Sequence, residues 1–311
     1  MKEIGGYFGL EKFTGAEYHC GLIPVNNARG ALLYILKAKG IRKLHIPHFL
    51  CDSVSDMCKR YGYDYSYYSI NEQFLPLFHE KLAQDEYLYI VNYYGQLSNE
   101  RILELKARYG NIIVDNVQAF FQHPAPGVDT VYSCRKFFGV PDGGYVSTDA
   151  VLAEELEKDV SRDRMTHILG RFEGTASEFY SCFQNNDHSF EGIPTRHMSE
   201  LTHNLLRGID YDYARTKRNE NYAVLARALG EANKLQLITP DGPFCYPFYC
   251  KDGMRIKKEL AAKKIYVPTL WPNVLDLEDS LEKDFAENIL PLPCDQRYDA
   301  EDMEMIIKQL R

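Results

Sequence analysis

Hydrophobic positions in the first half of the chain fall into two alternating patterns, short apolar runs and longer stretches in which apolar residues recur at helical spacing. The runs Lys43 to Ile46, Tyr63 to Tyr68, Tyr87 to Asn92 and Ile112 to Asp115 predict strands, and the stretches Ala28 to Lys39, Cys51 to Tyr61 and Ile102 to Arg108 predict helices. Strands that alternate with helices make βαβ units, so the expected class is α/β, with a mainly parallel central sheet flanked by helices. Farther on, Gly143 to Ser147 predicts a strand, Ala153 to Arg164 a charged helix, and Ser199 to Leu229 one long helix. Between the last two, residues 172 to 196 lose any period; a stretch this irregular can reach an active site or a partner subunit. Cys245 to Tyr249, Met254 to Ala262, Lys264 to Val267 and a closing strand and helix predict a smaller α/β unit. The expected division is a large domain over 1–210 and a small one over 211–311.

The chemistry concentrates between Asn111 and Thr148. Asp115 ends an apolar run, which places it at the carboxyl end of a buried parallel strand, the edge at which open α/β sheets bind ligands. Lys136 follows on a loop between Tyr132-Ser133 and the Gly143-Gly144 pair, where desolvation would make its amine nucleophilic. Taken singly, the acid also fits a solvated strand end and the lysine a surface position. Together they suit pyridoxal 5'-phosphate, whose aldehyde needs an amine and whose ring nitrogen needs a carboxylate to keep it protonated. At an effective dielectric of about 20, unit charges about 3 Å apart attract by about 5 kcal/mol before desolvation, enough to hold the pyridinium form. Tyr93-Tyr94 ends another strand at the same predicted edge, where a phenol can meet substrate hydroxyls or a carbonyl.

An Asp, a Gln three residues on, then a Ser and a Lys before a Gly-Gly turn, as in Asp115, Gln118, Ser133, Lys136 and Gly143-Gly144, resembles the DegT/DnrJ/EryC1/StrS sugar aminotransferases, pyridoxal-phosphate enzymes of the aspartate aminotransferase fold (fold type I). Asn26-Asn27-Ala28-Arg29-Gly30 is similar to that family's turn opening a helix beneath the cofactor phosphate. Val91-Asn92-Tyr93-Tyr94-Gly95-Gln96 resembles its aromatic-Gly-Gln turn, and Asn288 to Pro293 with Tyr298 to Asp302 its closing strand and helix. The resemblance therefore spans nearly the whole chain. It implies Lys136 and Asp115 as catalytic residues, Gln118 at the cofactor's ring hydroxyl, Ser133 at its phosphate, and Phe49 as the aromatic stacked on its ring. Ser133 stands three residues before the lysine rather than the family's five, so the loop is shorter or Ser133 serves otherwise. Arg29 stands where the family has a small or hydroxyl residue, which leaves the backbone N–H groups of Arg29 and Gly30 as phosphate donors. The family's partner-subunit asparagine falls where residues 192–198 contain none; Thr195, Arg196 and His197 are the candidates there, Arg196 and His197 also for substrate.

Composition narrows the alternatives. The 311 residues, 45% hydrophobic, suffice for a large core and a smaller second domain. The net charge of -8 argues against a nucleic-acid surface. Eight cysteines are dispersed without a C-x-x-C pair, and the histidines lack metal-ligand spacing, so no metal is expected. The amino terminus has no apolar signal core and no run reaches membrane-span length, which predicts a cytoplasmic protein without membrane contact.

The resemblance implies a ping-pong transfer from L-glutamate to a nucleotide-linked keto sugar, in a homodimer with shared active sites, with residues 172–196 of one chain completing the other's pocket. Two other readings compete. A binding or regulatory protein can keep the fold without the chemistry, although family members that became dehydratases replace the lysine that Lys136 retains. A pyridoxal-phosphate enzyme for non-sugar substrates would need an arginine for an α-carboxylate, which Arg196 or Arg171 could supply.

Overall fold

A computed structural model describes residues 4–310. Its centre is a sheet of eight strands: β1 (Ile23–Val25), β2 (Lys43–Pro47), β3 (Asp64–Ile70), β4 (Pro76–Leu77), β5 (Glu86–Val91), β6 (Ile112–Asp115), β7 (Asp129–Ser133) and β8 (Gly144–Ser147). Their spatial order is β1-β8-β7-β6-β5-β2-β3-β4. The five inner strands from β7 to β3 run parallel, while β8, β1 and β4 are antiparallel to their neighbours. Every residue of β6 and β7 is buried, as strands covered by helices on both faces require.

Register fixes what meets at the carboxyl edge. Val91 pairs with Asp115, Asp115 with Val131, Ser133 with Gly144, and Gly144 with Val25. The ends of β5, β6 and β7, the loop from Cys134 to Gly143 and the turn after β1 are therefore neighbours. That turn leads into α1 (Ala28–Lys39), an alanine- and leucine-rich helix buried from Gly30 to Leu36. Asn27 caps it by accepting the N–H of Gly30 at 2.8 Å, and Gly40, at φ 64°, closes it. The helices α2 (Asp52–Tyr61) and α3 (Asn99–Tyr109) complete the predicted alternation.

Three expectations fail in the middle of the chain, one through a distant backbone partner and one through a local cap. Residues 153–161 form no helix: His197 donates its N–H to the Glu157 carbonyl at 2.8 Å and accepts that of Asp159 at 3.0 Å, which holds the segment extended. Only a 3-10 turn at Arg162–Arg164 follows. The aperiodic stretch is in part helical, with α4 (Thr166–Glu173) and α5 (Tyr180–Ser189). The single long helix is two, α6 (Glu200–Arg207) and α7 (Tyr211–Leu229), because Asp210 accepts the Tyr213 N–H at 2.9 Å and starts a new helix.

The carboxyl-terminal part contains β9 (Tyr246–Tyr249), α8 (Gly253–Ala262), α9 (Leu281–Asn288), β10 (Ile289–Leu292) and α10 (Ala300–Leu310), with β9 and β10 antiparallel. Lys264 to Val267 is not a strand, and α9 has no counterpart in the predicted elements. A second core lies here, where Tyr222 and Leu225 of α7 meet Phe248, Leu290 and Ile306. Trp271, Phe285 and Ile289 instead join the main core against the sheet. No helix among the described residues is long and apolar enough to cross a membrane.

Candidate active site

Asp115 ends β6 with only 4% of its surface exposed. Its Oδ2 accepts the Tyr89 hydroxyl at 2.7 Å and its Oδ1 the Val117 N–H at 2.9 Å. Burial pushes its carboxyl above the ordinary range, opposed by the charge of Lys136 and by those two hydrogen bonds. A buried carboxylate whose charge a nearby cation favours is well placed to hold a protonated ring nitrogen.

Lys136 lies on a loop anchored by packing and hydrogen bonds. Its neighbours Phe137 and Phe138 are buried among Phe120 and Phe121, and both donate their N–H groups to the Cys134 carbonyl. The carbonyl of Phe137 accepts from Arg218 Nη2 at 3.2 Å and from Gln296 Nε2 at 2.9 Å. The loop ends at a pair of glycines that the backbone demands. Gly143 has a φ of 117°, and a Cβ on Gly144 would sit 2.7 Å from the Tyr132 carbonyl oxygen. Because the phenylalanines take the buried side, Lys136 faces the cavity and is exposed, where its loop position predicted a desolvated amine.

Between this loop, the start of α1, α2 and the end of α5 is a cavity of about 840 Å³. Lys136, Asp115, Ser133, Arg29, Gly30 and Thr195 line it, so six of the predicted positions converge. The Gly30 N–H is already spent on Asn27 Oδ1. Of the two predicted backbone donors, only that of Arg29 has no acceptor among the described residues.

The other six candidates do not line the cavity. Phe49 is fully buried beneath it, its ring 4.4 Å from that of Trp271 and 5.4 Å from that of Tyr93, so it is a core aromatic rather than a stacking face. Tyr93 and Tyr94 are each 1% exposed; the Tyr93 hydroxyl donates to the Phe49 carbonyl, and Tyr94 takes a φ of 56° that turns it inward. Gln118 spends its Oε1 on the Tyr94 N–H at 2.7 Å, and its Nε2 has no partner among the described residues. Arg196 faces Glu157 and Asp159, at 3.3 and 3.6 Å. His197 pairs its backbone with residues 157–159, and its Nδ1 lies 3.4 Å from the Pro24 carbonyl oxygen.

Among the lining residues not singled out from the sequence are Tyr89, Arg135, Trp271 and Asp187, the last from the aperiodic stretch 172–196 expected to reach a site. Tyr89 could have been found, because strand alternation puts it on the same face as Val91, which pairs with Asp115. Arg135 is adjacent to the lysine, whereas Asp187 and Trp271 arrive from segments without a periodic signal.

No protein-family model matches the chain, and no curated protein matches its sequence. Solved structures do match. A DegT/DnrJ/EryC1/StrS aminotransferase from Brucella abortus aligns with a TM-score of 0.62 at 15% identity, over 94% of this chain and 86% of that one. NtdA from Bacillus subtilis, solved with bound cofactor PMP, aligns at 0.66 and 17% identity, over 96% of this chain and 77% of its own. The chain has the fold of these aminotransferases. DesI, solved in the presence of its TDP-sugar product, aligns at 0.63 and 13% identity, over 93% of this chain and 79% of its own. In this aminotransferase fold, the carboxyl edge where Asp115 and Lys136 meet is where the large sheet offers its open end.

Proposed function

We propose that the protein is a pyridoxal-phosphate-dependent aminotransferase that moves an amino group from L-glutamate to a keto sugar carried on a nucleotide. The observation that carries the reading is the meeting of buried Asp115 and Lys136 in one large cavity at the sheet's carboxyl edge. The likeness to NtdA, solved with bound PMP, and to DesI, solved in the presence of its TDP-sugar product, supports the cofactor and the acceptor class. When bound, the cofactor supplies an electron sink for the carbanion formed at the donor's α-carbon. Lys136 would hold it through its amine, a group also placed to move the proton at that carbon. Asp115, with Tyr89 and Val117 fixing both oxygens, keeps the ring nitrogen protonated. Ser133 and the Arg29 N–H serve the phosphate.

The reading includes a cytoplasmic homodimer of chains divided near residue 210 and sharing their sites. It places no cofactor role on Phe49 or Gln118 and no substrate role on Tyr93 or Tyr94, whose side chains are taken up in the core.

A visible absorbance spectrum with added cofactor tests the proposal. Wild type is expected to give a band that L-glutamate bleaches, and Lys136→Ala to lose it. Asp115→Asn is expected to keep the band while its bleaching slows by about 100-fold or more, the usual scale for losing one electrostatic stabiliser of developing charge. A band indifferent to glutamate would refute the donor, and absence of any band would favour a binding protein that kept only the fold.

A further inference from the structure

The cavity wall beside Lys136 holds two guanidinium groups converging on one acidic residue. Arg135, with its side chain 14% exposed, donates from Nη1 to Asp187 Oδ1 at 3.0 Å. Arg29, at the opening of α1, donates from Nη2 to the main-chain carbonyl of the same Asp187 at 3.4 Å. The two cations lie near enough for the charge of Arg29, after burial, to help push Arg135 below its usual range. A third arginine does not belong to the set. Arg164 pairs with Asp159 at 2.7 Å and stacks on Phe190, the ring whose neighbourhood it shares with Arg135.

Two guanidinium groups against one carboxylate leave this stretch of the wall short of a negative charge. Asp187 is itself 56% exposed in the last turn of α5, so its hold is that of a rim ion pair, which contributes little. A phosphoryl dianion would balance both cations and accept the forked hydrogen bonds that guanidinium groups favour. Asp187 thus occupies the place of a ligand group, and its contacts keep the end of α5 at the cavity mouth.

We propose that Arg135 and Arg29 form a phosphoryl-dianion site that Asp187 fills with its own carboxylate, and that a phosphorylated ligand displaces Asp187 and releases α5 from the cavity. The inference rests on the aminotransferase reading only for the source of the phosphoryl group.

Titration calorimetry with inorganic phosphate on the full chain, free of cofactor, tests it. Asp187→Asn is expected to bind phosphate at least about 10-fold more tightly than wild type, a gain that misfolding cannot produce, and Arg135→Met at least about 10-fold more weakly, each tenfold being about 1.4 kcal/mol. Equal affinity in wild type and Asp187→Asn would overturn the displacement, and equal affinity in wild type and Arg135→Met would overturn the site. Repeating the titration on protein loaded with pyridoxal phosphate identifies the source. Loss of the phosphate site assigns it to the cofactor, and its survival to a phosphorylated substrate; both outcomes keep the arginine pair. A phosphate pattern as expected without the Lys136-dependent band would sink the cofactor reading and leave this site standing. The band without the pattern would do the reverse.

Discussion

His19 shows how a single buried side chain ties stability to pH. It is 3% exposed, and its Nε2, 2.7 Å from the Phe120 carbonyl oxygen, must carry the proton of the neutral ring. Burial lowers its pKa from 6.5 to about 4, opposed by that carbonyl and reinforced by His123. Because the folded-state pKa is the lower one, the unfolded chain takes up its proton first, and stability falls as pH drops from 6.5 towards 4. The full loss is about 3 kcal/mol. Urea unfolding at pH 7 and pH 4.5 should show this slope in wild type and a flatter one in His19→Gln, which keeps an N–H for Phe120 but does not titrate. Such a residue is invisible in the sequence, where His19 is one of nine histidines without a pattern. Asp115 and Lys136 were legible because an acid at the end of an apolar run and a lysine before a glycine pair each carry a positional meaning. Phe49, Tyr93 and Tyr94 misled because strand-end position gives no direction to a side chain, and a φ of 56° at Tyr94 reverses the expected one.

Elements were read well where their ends are marked locally. The span Ala28–Lys39 was predicted to the residue, and an Asn cap and a left-handed glycine bound it. Ends set by distant partners were lost, as at residues 157–159, whose backbone is engaged by His197. The start of α6 has a similar remote support. Asp142, fully buried before the glycine pair, accepts the Ser199 N–H at 2.9 Å, the Ser199 hydroxyl at 2.7 Å and the Thr202 hydroxyl. Ser199 in turn caps the helix by accepting the Thr202 N–H at 3.1 Å. Asp142→Ala strands three donors in the interior and is expected to cost about 2–4 kcal/mol, with Asp142→Asn losing less. The urea midpoints of the two variants give the comparison.

At the scale of the molecule, Arg218 of α7 joins the lysine loop to the carboxyl-terminal part. It is 1% exposed and donates to Gln296 Oε1 at 2.7 Å, to the Pro243 carbonyl at 2.8 Å and to the Phe137 carbonyl at 3.2 Å, while its guanidinium lies 4.5 Å from the Phe137 ring centroid. Its role is bonding rather than filling. Arg218→Met should therefore lower the unfolding free energy by about 2–4 kcal/mol, with part regained in Arg218→Lys, whose ammonium still donates. A methionine variant as stable as wild type in equilibrium unfolding would show that only volume matters there.

The sheet's two outer margins limit how other chains can join it. On one side β4 is two residues long and begins with Pro76, which has no N–H to offer. On the other, Val25 of β1 bridges to His197, and Asn26 donates its N–H to the Arg196 carbonyl at 2.9 Å. Neither margin presents a long row of unsatisfied peptide groups, so extension of this sheet from molecule to molecule, the route to fibrils, is closed in the folded chain, and assembly must proceed through side-chain faces.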